Sequence, residues 1–124
     1  MKMVLFVAGL LVASSAGAQS MPLSTFVQKG TSLEKKGPLA LFSRGEIKTL
    51  QSEVMAASKI LRTERLAAKA AGRKPAYCPP EKGEPMGAQK LLAELRSISA
   101  SQPRTATVTD GMRVMLARKY PCPA

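Results

Sequence analysis

Two cysteines constrain the fold of this chain more than any other feature. Cys78 stands in Tyr77-Cys78-Pro79-Pro80 and Cys122 in Tyr120-Pro121-Cys122-Pro123, and no other cysteine occurs in the 124 residues. Their spacing is not that of a C-x-x-C redox pair. With no histidine anywhere, two thiolates also make a poor zinc site. Joined as a disulfide, they turn segment 78–122 into a closed loop onto which everything upstream must pack. On the chain-entropy account, a loop of roughly 45 residues contributes about 4 kcal/mol. That is a large share of the ~5–15 kcal/mol of a whole domain. Such help matters here because Trp is absent and aromatic residues are 4% of the chain. Leu, Ile, Val, Met and Ala must do the burying.

The N-terminus reads as an export signal. Lys2 gives a positive start, Met3 to Ala13 is an apolar run, and Ala16-Gly17-Ala18 has the A-x-A cleavage pattern. A spanning helix needs roughly 20 apolar residues, and this run has about 11. Residues 1–18 are therefore expected to be a signal peptide, and residues 19–124 a single domain with no integral membrane span. The expected location is periplasmic or secreted, an oxidising setting that suits the disulfide.

The formal charge is +11, and loss of Lys2 with the signal leaves about +10. Such a surface favours anionic partners: an acidic protein, lipopolysaccharide, acidic lipid or nucleic acid. It also fits a plain solvated basic face. The export signal and the scarcity of stacking aromatics argue against nucleic acid.

Apolar spacing predicts an all-α fold, a small bundle of four to five helices. Pro22 suits a helix start, and Leu23, Phe26, Val27, Gly30 and Leu33 recur at three- and four-residue steps before Gly37-Pro38 ends the segment. Leu39 to Phe42 reads as a hydrophobic plug between helices. Ser43-Arg44-Gly45-Glu46 has the form of a capping box opening the longest helix, about 44–71, with Gly72 as its C-cap. Ile47, Leu50, Val54, Ala57 and Leu61 form the stripe of that helix, which Met55, Ile60 and Leu66 are expected to widen. Its second half, Thr63 to Ala71, has small, weakly hydrophobic residues and could project, fray or pair with another copy. A membrane-surface role is disfavoured by the lack of bulky aromatics.

Residues 73–87 form a loop stiffened by Pro75, Pro79, Pro80 and Pro85. Next, Leu91, Leu92, Leu95 and Ile98 mark one helix. Thr107-Val108-Thr109-Asp110 caps another, which carries Val108, Met112, Met115 and Leu116 on one face. Gly111 in that stripe suits a close helix crossing.

Enzyme chemistry finds little to use. Histidine is absent and Asp110 is the only aspartate. No phosphate loop or metal motif appears, so neither a cofactor nor a metal is expected, and the chain reads as non-enzymatic.

The cysteine-bounded segment carries a resemblance. Tyr77-Cys78-Pro79-Pro80, Leu91-Leu92, Leu95 and the closing Tyr120-Pro121-Cys122-Pro123 resemble the Rap/Tai-type immunity family over Tyr77 to Pro123. Members of that family are small, exported, helical and disulfide-linked. They bind and block peptidoglycan amidases injected through type VI secretion, often as dimers. The resemblance implies a periplasmic inhibitor that occludes the active site of a cell-wall amidase, with a homodimer as one expected state. The stiff loop is the expected contact, through Tyr77, Glu81, Lys82 and Glu84, with Arg73 and Lys74 steering an acidic target. The same loop could also be a plain connector. Two other readings stand beside this one. The first is a basic envelope-associated structural protein that binds lipopolysaccharide or acidic lipid. The second is a chaperone-like methionine-lined groove built from Met55, Met86, Met112 and Met115, residues that equally serve as core filler.

Overall fold

The computed structural model describes residues 21–83 and 85–124. The expected signal peptide and Glu84 lie outside the described residues. The architecture is all-α: α1 (Leu23–Lys36), a 3-10 helix (Gly37–Phe42), α2 (Arg44–Ala70), α3 (Ala88–Ser99) and α4 (Val108–Lys119). Extended pairing among the described residues is limited to one isolated bridge, Pro22 with Thr107.

That bridge sets the frame. Leu23 N–H donates to the Ala106 carbonyl and Val108 N–H to that of Met21, each at 2.9 Å. The first turns of α1 and α4 are thereby pinned side by side. Both helices can approach because Gly111 faces Leu23, and a Cβ there would stand 2.8 Å from a Leu23 methyl. The close crossing read from Gly111 is thus present, against α1. Gly30 plays the same part on α1, where a Cβ would meet Leu92 of α3 at 2.6 Å. The expected cap of α4 also forms. Thr107 Oγ1 accepts from Asp110 N–H, and the Asp110 carboxylate accepts from Thr107 N–H.

One core unites the four helices, with Leu23, Phe26, Leu61, Leu95, Ile98, Val108, Met112 and Met115 in it. Of these, Leu23, Leu61, Leu95 and Val108 are the largest fully buried side chains. α3 packs on α1 and α4, and α2 lies mainly against α4. Cys78 and Cys122 are joined, and Cys78 N–H donates to the Tyr120 carbonyl at 2.8 Å. The cross-link ties the loop after α2 to the end of α4.

Three sequence expectations are corrected. Ser43 makes no side-chain cap on α2. Its hydroxyl instead accepts from Lys36 Nζ at 2.9 Å, and the same ammonium lies 3.9 Å from Glu46. The capping acceptor is thus taken by a cation brought in by the turn. Leu39, Leu41 and Phe42 do not plug the space between helices; Phe42 is 87% exposed. The six-residue 3-10 helix is too short and too tightly wound to turn these side chains inward. Met55 and Leu66 do not widen the buried face of α2 either: Met55 is 72% exposed. From Thr63 onward α2 remains helical to Ala70, buries Ala68 and holds Glu64 on Arg113 of α4, with most of its other side chains exposed. Gly72, with φ +68°, terminates it as the sequence suggests.

Candidate functional site

The loop that carries the expected contacts divides its residues between interior and surface. Tyr77 is 6% exposed and belongs to the core, with the Arg65 guanidinium 5.7 Å above its ring. It therefore presents no contact surface, which corrects its reading as a contact residue. Glu81, Lys82, Arg73 and Lys74 are exposed, while Glu84 lies outside the described residues.

A different surface is concave and apolar. α1 forms the floor of a groove of about 720 Å³, with Phe26, Gly30 and Leu33 at its base. One wall is the first half of α2, through Ile47, Leu50, Val54 and Met55. The other wall is the start of α3 and the residue leading into it, through Met86, Leu91 and Leu92. Gly37 and Ala40 of the 3-10 helix border it as well, and one side is open to solvent. Just outside stand the exposed Leu39, Leu41 and Phe42.

The groove exists because α2 follows α4 rather than α3. Arg113 of α4 holds Glu64 of α2 at 2.7 Å and Asp110 at 2.9 Å. These exposed pairs are worth at most about 1 kcal/mol each, so they set register more than stability. The buried Ala57, Leu61 and Ala68 supply the adhesion. α1 and α3 are fastened separately: Arg96 donates to Thr31 Oγ1 at 3.0 Å and lies 3.5 Å from Glu34. Between these two fastenings the walls stand apart.

The electrostatics are simple. Asp110 is held below its ordinary value, first by the Thr107 backbone N–H, against a partial desolvation, and then by Arg113. Arg113 is raised by Glu64 and then by Asp110, again against desolvation. Both groups belong to the α2–α4 fastening, away from the groove. Among the described residues there is no cluster of His, Cys, Asp or Glu able to hold a metal ion, and no helix long and apolar enough to cross a membrane. Two of the four methionines singled out in the sequence, Met55 and Met86, line the groove. Met112 and Met115 are core. The remaining lining residues carry ordinary helical periodicity, and no local signal distinguishes a stripe that faces a groove from one that faces a core.

No protein-family model matches the chain, and neither the curated proteins nor the solved structures contain a match.

Proposed function

We propose that this chain is an exported, periplasmic protein that acts by binding another protein rather than by catalysis. The observation that carries this reading is the open apolar groove beside exposed Leu39, Leu41 and Phe42. Contiguous apolar surface of this kind is unfavourable in water, and on a small domain it marks a place where a partner sits. The resemblance over residues 77–123 gives the partner class: a cell-wall amidase, blocked by occlusion of its active site. On this reading the groove face supplies the apolar contact. Exposed Glu81, Lys82, Arg73 and Lys74 lie on the loop that leads to Met86, and their charges affect the rate of encounter more than the affinity.

Affinity capture from envelope extracts of the host and of competing bacteria, at low and high salt, tests the proposal. The expected result is one cell-wall hydrolase retained at high salt and lost with Phe42→Asp, a change at an exposed position that leaves the fold intact. Retention of only salt-labile anionic material would overturn it and favour a basic protein of the envelope surface.

A further inference from the structure

We propose that the groove takes an amphipathic helix with acidic flanks, docked as an additional helix of the bundle. This rests on the protein-binding reading above and adds the shape and charge of the bound element.

Charge on α2 is sorted by face. Glu46, Glu53 and Glu64 recur at steps of seven and eleven residues, which places them along one edge of the helix. That edge is solvent-accessible but lies beside neighbouring cations: Glu46 is 3.9 Å from Lys36, and Glu64 meets Arg113. Arg44, Lys48, Lys59, Arg62 and Lys69 recur at steps of four, eleven, three and seven along another edge, and all five are exposed. Gln51 and Met55, three and seven residues beyond Lys48, share that edge and line the groove. Arg44 and Lys48 therefore make the α2 lip basic, and Lys59, one turn past Met55, continues the same edge. The one carboxylate in the lining, Glu34, already faces Arg96.

Shape narrows the occupant further. The floor from Phe26 to Gly37 is about 16 Å long, three turns of helix. A trough of that length, open on one side and lined by Leu, Ile, Val and Met, suits apolar side chains at i, i+3, i+4 and i+7 of a partner helix. Carboxylates flanking that stripe would lie against Lys48 and Lys59. A second copy of this chain would bring its own basic lip into the same space, and the two would repel. A flat anionic bilayer could reach Phe42 but not fill a concave trough.

The test uses the protein recovered, oxidised, after export from its own N-terminus. Labelled helical peptides of about four turns carry one leucine stripe, flanked by glutamate in one and by lysine in the other. Fluorescence anisotropy should show the glutamate peptide binding about tenfold or more tighter than the lysine peptide. Met55→Asp and the double change Lys48→Glu with Lys59→Glu should each weaken the glutamate peptide by at least about tenfold, and the double change should strengthen the lysine peptide. All three positions are exposed, so the fold is retained, as circular dichroism would verify. The inference is overturned if the two peptides bind equally, if neither binds, or if a polyglutamate without the stripe binds as well. It is equally overturned by a dimer that Phe42→Asp dissociates, or by uptake onto phosphatidylglycerol vesicles in place of peptide. Capture of an envelope protein that needs Phe42 but ignores Met55, Lys48 and Lys59 would end the helix assignment and leave the protein-binding reading standing. If nothing is captured and neither peptide binds, both fall.

Discussion

The two halves of α2 have much the same apolar spacing and end in different surroundings. From Ala57 to Ala68 the stripe is buried, Glu64 is clasped by Arg113, and the disulfide closes the loop just beyond. From Ile47 to Met55, Leu50 is buried in the core, but Ile47, Val54 and Met55 border an open trough toward α3. The difference teaches that periodicity fixes which face of a helix is apolar, but not whether that face meets protein or water. In the second half, α4 supplies the opposing surface. In the first half α1 supplies only a floor.

Removing the cross-link should separate the halves most. The pair Cys78→Ser and Cys122→Ser is expected to cost about 4 kcal/mol of stability, read by urea unfolding. Native-state hydrogen exchange should show the loss concentrated in residues 57–70 and 108–119. Uniform loss along α2 would mean that its two halves unfold as one and are not energetically distinct.

Leu61→Ala and Met55→Ala compare the halves directly. Leu61 is 0% exposed, and its truncation should cost about 2–5 kcal/mol through lost burial and a residual cavity. Met55 should change stability by no more than about 0.5 kcal/mol, as an exposed position does. Similar costs at the two sites would show the trough to be closed in solution.

The smallest expected effect concerns the α2–α4 fastening and is set by pH. Because Asp110 has its folded value lowered below the ordinary 3.8, it stabilises the fold above that value. The contribution disappears as pH falls through the lowered folded value. Asp110→Asn should cost about 0.3–1 kcal/mol at neutral pH, the range for a half-exposed carboxylate at a helix start. Below the lowered value, where the native carboxyl is protonated too, the difference should shrink toward zero. A difference that persists there would place the effect in packing rather than in charge.

How much was readable in advance varies with the range of the interaction. The Thr107–Asp110 box depends on backbone geometry within one turn, so residue types at fixed offsets were enough. Ser43 and Glu46 carry the same signature and fail because Lys36, brought close by the 3-10 turn, competes for both. Tyr77 has the sequence setting of a contact, a proline-rich loop, yet its ring packs into the core.

The helical class, the four helices with their apolar faces, the cysteine pair and the basic charge all follow from local spacing and composition. That α2 lies along α4, that Leu39, Leu41 and Phe42 face water, and that a trough opens between α2 and α3 emerge only in the folded molecule. Those outcomes depend on which of several equally apolar faces meet, and that choice rests on contacts between distant residues: Gly111 under Leu23, Gly30 under Leu92, and Glu64 with Arg113.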